Sequence, residues 1–217
     1  MAWKVRSLDN PGGPALVLRE QAGVVEIVAG QVVLLSSAAL ETERAFGRLA
    51  ATVARRPPER VLVGGLGFGA TLRGVLDVAP AGARVQVAEK LAAVEHLVRG
   101  ELAGLAGRPL DDARAEVVRA DVADCVAASE GQLDVILLDV DNGPHWAAFR
   151  TNARLYTPAG LAAAARALAP GGALAVWSGY PADAFLPRLR AAGFVPSVVP
   201  LHERGRVRAR AYVGVKP

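Results

Sequence analysis

An α/β fold built on a doubly wound, largely parallel sheet is what this sequence predicts, and three observations predict it. Short apolar strands alternate with helical segments from Arg60 onward, a glycine-rich turn follows the first of these strands, and two strands with a short link close the chain. Strands that are apolar on both faces need helices on both sides of their sheet. Two strands joined so tightly must run antiparallel. With 217 residues, 52% of them hydrophobic and 21% charged, the chain can bury one large core and has no room for a second full α/β domain.

The first 35 residues have a β rhythm. Ala15–Leu18, Val24–Val28 and Val32–Leu35 are apolar or alternating, with turn signals at Pro11-Gly12-Gly13 and Ala29-Gly30, so a small N-terminal β-hairpin region is expected. From Glu41 to Ala54 apolar residues recur at helical spacing until Pro57-Pro58. Residues 1–55 therefore read as a hairpin region with a linking helix, and 56–217 as the main domain. There the strands are expected at Arg60–Gly64, Arg84–Ala88, Ala115–Arg119, Leu133–Leu138 and Ala173–Trp177, with helices at Ala70–Val78, Leu91–Arg99, Ala123–Ser129 and Leu161–Leu168. Thr157 can cap the last of these, with Pro158 where a missing N–H costs nothing. Ala169-Pro170-Gly171-Gly172 should stop it. A helix over Ala184–Ala192 then leads to the closing strands Phe194–Leu201 and Val207–Val215. Arg204, Arg206, Arg208 and Arg210 alternate along an expected edge, where they read as a solvated face that resists edge-to-edge pairing.

Cys125 is the single cysteine, so no internal disulfide and no cysteine-based metal site can form, and a reducing compartment is expected. No apolar run approaches the roughly 20 residues that span a bilayer, and the start has no leader-like stretch, so the expected location is the cytoplasm, with no membrane partner. The net charge of +4 comes mostly from arginines spread along the chain. Nucleic acid binding needs a clustered basic face and is not expected.

The strongest motif is Val61-Leu-Val-Gly-Gly-Leu-Gly-Phe-Gly-Ala70, with Gly65, Gly67 and Gly69 at its core. Glycines there allow positive φ and let backbone N–H groups approach a ligand. The same letters satisfy the Gly-x-Gly-x-x-Gly/Ala pattern of dinucleotide enzymes, so spacing does not separate the two. Glu89 ends the second strand of the main sheet about 20 residues after the turn, where an acid can accept hydrogen bonds from both ribose hydroxyls. Asp121, followed by Val122, lies just after the third strand and can accept from an adenine amine or cap the next helix. Asp139 ends the fourth strand at the ligand-binding edge of the sheet, with Asp141 and His145 close behind. Tyr156 fits an acceptor pocket or the core equally. A Rossmann-like sheet finished by an antiparallel hairpin is the plan of the class I S-adenosylmethionine-dependent methyltransferase type, a likeness of fold.

At these residues the chain resembles the spermidine synthases, in particular the shorter bacterial spermidine synthase-like proteins. The resemblance runs from Ser36 to about Gly179 and includes the glycine turn, Glu89, Asp121, Asp139 followed by Gly143-Pro144, Leu155-Tyr156-Thr157 and Ala167-Leu-Ala-Pro-Gly-Gly. It implies a transferase whose co-substrate is S-adenosylmethionine or its decarboxylated form. The turn then lies at the donor's methionine-derived end, Glu89 on the ribose, and Asp121 and Val122 near adenine. Asp139 is implied as the acid that deprotonates an attacking amine, with Asp141 beside it. The implied partner is a small-molecule acceptor, an amine among the candidates, with a homodimer left open. Three departures stand out. Phe68 replaces the turn acid that holds the donor's ammonium, Phe46 and Gly47 replace a tyrosine and a histidine, and the second acid comes two residues after Asp139 instead of three. Phe68 therefore predicts a weakened preference for the decarboxylated donor. The alternatives are a metal-independent small-molecule methyltransferase and a nucleoside-binding module without turnover. Asp139-Val-Asp141 is similar to the Asp-x-Asp of metal-dependent catechol-type methyltransferases, but their later Asp-Asn pair is missing from Ala175-Val-Trp-Ser-Gly, so no metal is expected.

Overall fold

The structure is a computed structural model, and it describes residues 2–140, Pro144 and 150–217. Two sheets organise the chain. The first is an antiparallel meander of β1 (Lys4–Leu8), β2 (Leu16–Gln21), β3 (Val24–Ala29) and β4 (Val32–Ser36), in that order. Period-two alternation decides its faces: Leu16, Leu18, Val25 and Ile27 are buried, while Arg19 and Glu26 pair across β2 and β3 with Nε donating to Oε2 at 2.7 Å. The region is therefore larger than the expected hairpin. β1 escapes a sequence reading because it has no buried face to pattern it, and Val5 is 62% exposed.

The second sheet has seven strands: β5 (Arg60–Gly64), β6 (Arg84–Ala88), β7 (Ala115–Val118), β8 (Leu133–Leu138), β9 (Leu168–Ser178), β10 (Val195–Glu203) and β11 (Arg206–Val215). Their order is β10-β11-β9-β8-β5-β6-β7, parallel from β7 to β9, with β11 antiparallel to both its neighbours. This is the doubly wound sheet with a terminal antiparallel hairpin that the sequence predicts. The order reverses between β5 and β8, which places a ligand-binding crevice at their carboxyl ends.

Helices cover both faces, and strand alternation sorts the core accordingly. Val61, Val63, Val85, Val87 and Leu137 pack with α1 (Leu40–Arg48), α3 (Ala70–Val78), α4 (Ala92–Arg99) and the N-terminal sheet. Leu62, Ile136, Leu138, Leu174 and Val176 pack with α5 (Val122–Ala128), α6 (Pro158–Ala167) and α7 (Phe185–Ala191). Such burial on both sides stabilises each large side chain by about 1.5–3 kcal/mol. Thr157 caps α6 as expected, its Oγ1 accepting from Gly160 N at 3.1 Å with Pro158 in the first turn. Among the described residues no helix is long and apolar enough to cross a membrane.

Three expectations need correction. The helix expected from Glu41 to Ala54 breaks at Leu49, where the Leu49 N–H bonds back to Phe46 O and α2 (Ala50–Val53) begins anew. Ala169-Pro170-Gly171-Gly172 does not simply stop α6, because it belongs to β9: Leu168 pairs with Leu133, the register then shifts, and Ala173 pairs with Val135. A bulged strand start tolerates a proline that lacks the ladder donor. The arginine strand is only partly an edge. β10 is the outer strand, and Arg210 onward lies between β10 and β9.

Candidate active site

The glycine turn follows β5 and leads into α3, so its backbone lies at the switch point of the sheet. Gly65 has φ +87°, and a Cβ there would come within 2.4 Å of Asp139 O, which holds the turn against the end of β8. Gly67 has φ +51° and open space around it, the nearest atom to a Cβ being Leu35 Cδ2 at 3.8 Å. Both line a cavity of about 570 Å³. Gly69 does not line it; this residue precedes α3 and packs against Pro109.

Glu89 follows β6 and is 9% exposed. Its Oε2 accepts from Leu66 N in the glycine turn at 2.9 Å, and its Oε1 from Leu91 N at 2.7 Å. Burial pushes its carboxyl above the usual range, against backbone N–H groups that favour the charged form. Glu89 thus both lines the cavity and ties the turn to β6. Val122, at the first turn of α5, forms part of the same wall.

Asp121 is placed differently. Its Oδ1 accepts from Ala123 N at 3.0 Å as the cap of α5, and its Oδ2 pairs with Lys90 Nζ at 2.9 Å and an Arg154 guanidinium nitrogen at 3.0 Å. Burial pulls its pKa upward, but these donors outweigh burial and hold it below the ordinary value. It is not among the cavity-lining residues, although its neighbours Val122 and Lys90 are.

Asp139 lines the cavity at the end of β8. The Thr71 hydroxyl, in the first turn of α3, donates to its Oδ2 at 2.5 Å. Burial raises the Asp139 pKa to about 6 despite that bond. Such a group is mostly ionised at neutral pH yet still accepts a proton readily. Asp141 and His145 lie outside the described residues.

The structure adds two residues that sequence reasoning missed. Glu43, on α1, lines the same cavity, and burial together with the Asp139 charge pushes its carboxyl well above the usual range. Trp177, near the end of β9, also lines it; the side chain is 8% exposed, and its Nε1 has no hydrogen-bond partner among the described residues. The sequence marks Trp177 only as a strand end.

Three further residues singled out in the sequence lie in the core. Phe68 is 2% exposed and packs beneath the turn, so the turn presents no acid to the pocket at that position. Phe46 is fully buried in the same cluster. Tyr156 is a core residue, edge-on to Phe185 with ring centroids 5.9 Å apart. Among the described residues no group of three or more His, Cys, Asp and Glu side chains is placed to hold a metal ion.

No family model matches this chain, and no curated protein matches it in sequence. Solved structures do match it in shape. A spermidine synthase in complex with the transition state analogue AdoDATO aligns with TM-score 0.76 and 20% identity, over 99% of this chain and 73% of that one. The spermidine synthase from Thermotoga maritima gives TM-score 0.76 and 20% identity, over 98% and 72%. A probable spermidine synthase from Corynebacterium glutamicum gives 0.66 and 18%, over 97% and 79%. From its first antiparallel sheet to its terminal hairpin, the chain has the fold of the spermidine synthases.

Proposed function

We propose that this chain is a transferase that binds an adenosyl sulfonium donor and moves an aminopropyl group from it to a small amine. The reading rests on one observation: Glu89 and Asp139, at the ends of β6 and β8, line a single cavity on either side of the glycine turn. In this reading Glu89 accepts from the ribose hydroxyls, Val122 borders adenine with Asp121 behind it as the cap of α5, and the sulfonium lies near Gly65 and Asp139. Gly12, Gly13 and Val33–Leu35 also line the cavity. Residues 1–55 would thus supply its cover and 56–217 its floor.

A sulfonium carbon is already activated, so the protein must mainly align the nucleophile and remove its proton. The amine nitrogen attacks the carbon on sulfur, and a C–N bond forms. The C–S bonding pair leaves with sulfur as a neutral thioether, methylthioadenosine, and Asp139 takes the proton. The step calls on no Lewis acid. The shared fold with spermidine synthases, one of them in complex with a transition state analogue, supports this choice of chemistry.

The test is incubation with decarboxylated S-adenosylmethionine and putrescine, with spermidine and methylthioadenosine followed by liquid chromatography. Equal amounts of both products are expected. A methylated product from intact S-adenosylmethionine would assign the methyltransferase alternative. Tight methylthioadenosine binding with no turnover on any amine would assign a nucleoside-binding module.

A further inference from the structure

We propose that Glu43 is the anchor for the cationic end of the donor, and that this helix residue makes the site select against a donor carrying a carboxylate. The inference rests on the adenosyl-donor reading above and adds to it which end group is recognised, and by what. Glu43 is brought to the cavity by unusually close helix packing. A Cβ on Gly47 would lie 2.1 Å from Thr71 O, and one on Gly74 would lie 2.1 Å from Arg44 O, so only glycines let α1 and α3 approach this closely. Thr71 then joins the pieces: its Oγ1 is 3.2 Å from the Glu43 carbonyl oxygen and 2.5 Å from Asp139 Oδ2. Glu43 therefore sits beside Asp139, where the glycine turn enters α3.

The charge balance of the cavity gives this position its meaning. The Glu43 carboxyl has no hydrogen bond or ion pair with a described residue, and the carboxyl nearest in effect is that of Asp139. Lys90 is the only cationic side chain among the described residues lining the cavity, and its Nζ is bonded to Asp121, toward α5. A pair of carboxyls without a counter-ion in a partly desolvated space favours a cation and disfavours a third carboxylate. The decarboxylated donor ends in an ammonium alone, whereas the intact donor adds a carboxylate that would face Glu43 and Asp139. The turn itself supplies no acid: none occurs from Val61 to Ala70, and Phe68 is packed in the core. Glu43 supplies the charge from another element.

Calorimetry with methylthioadenosine, decarboxylated S-adenosylmethionine and S-adenosylmethionine separates this proposal from the reading beneath it, because methylthioadenosine has no charged tail. The wild type should bind the decarboxylated donor at least tenfold more tightly than the intact one. Glu43→Gln should bind methylthioadenosine within about twofold of wild type, lose about tenfold for the decarboxylated donor and narrow the ratio between donors, and Glu43→Asp should restore part of it. Equal wild-type affinity for both donors would overturn the proposal. So would a Glu43→Gln protein whose donor ratio is unchanged, or one that loses methylthioadenosine to the same extent while its melting temperature is retained. Failure of the wild type to bind methylthioadenosine at all would overturn the adenosyl reading, and this inference with it.

Discussion

The two halves of the cavity treat their carboxylates in opposite ways. On the β6 side, Glu89 has both oxygens occupied by backbone N–H groups, and Asp121, behind the lining residues Lys90 and Val122, has both occupied by a cap and two cations. On the β8 side, Asp139 has one hydroxyl and Glu43 has no partner among the described residues. A satisfied carboxylate is fixed in direction, which suits holding a neutral nucleoside. An unsatisfied pair is poised to take a proton or a cation. The division places recognition on one side of the glycine turn and reactivity on the other.

The largest expected effect tests the reactive side. Asp139→Asn keeps the shape and the Thr71 contact but removes the base, so turnover should fall by about 10²–10⁴ while methylthioadenosine binding changes by only a few-fold. Equal losses of both in steady-state kinetics and calorimetry would mean that Asp139 is structural. On the recognition side, Glu89→Gln should weaken methylthioadenosine binding by more than about tenfold, because a charge-assisted acceptor is worth on the order of 1.5–3 kcal/mol. Since Glu89 also holds Leu66 N, this variant should lose some stability as well, which Asp139→Asn should not.

The turn between the halves can be probed by two alanines. Gly65→Ala meets Asp139 O and a positive φ together, and should cost roughly 1–3 kcal/mol in a urea melt. Gly67→Ala meets only the φ penalty and should cost less, while still weakening ligand binding because its methyl enters the cavity. Equal melts for the two would refute the contact with Asp139.

The smallest effect is a difference in pH dependence. Asp139, raised to about 6, and Glu43, raised in the same direction, are protonated in the folded protein at pH values where the unfolded chain has lost those protons. The native state therefore binds more protons, for Asp139 between about pH 4 and 6 and for Glu43 upward from its ordinary range, and stability contributed by these groups falls as pH rises there. Asp139→Asn should flatten this slope relative to wild type in urea titrations. A matching Glu89→Gln series should change it less, because its backbone donors oppose the effect of burial.

How much of this was legible follows from how each residue reaches the cavity. Glu89 and Asp139 end strands whose apolar runs fix their position, so counting along the chain finds them. Asp121 was legible as a choice between ligand contact and helix cap, and the cap is the contact seen. Phe68 was legible as the loss of an acid from the turn, but not as a core side chain, because letters within a tight turn do not reveal which side chains point inward. Tyr156 likewise fell to the core, where Phe185 receives it edge-on.

By itself, the sequence determined the alternation of strands and helices, the glycine turn and the two acids at strand ends, because these depend on local periodicity and on spacing along the chain. Only the tertiary structure decided that Glu43 and Trp177 join them, that the N-terminal sheet lines the cavity and that Phe68 stays out. Those outcomes depend on contacts between segments far apart in sequence, above all the close approach of α1 to α3 across Gly47 and Gly74. No local pattern encodes that approach, since it is the absence of two side chains on two separate helices that permits it.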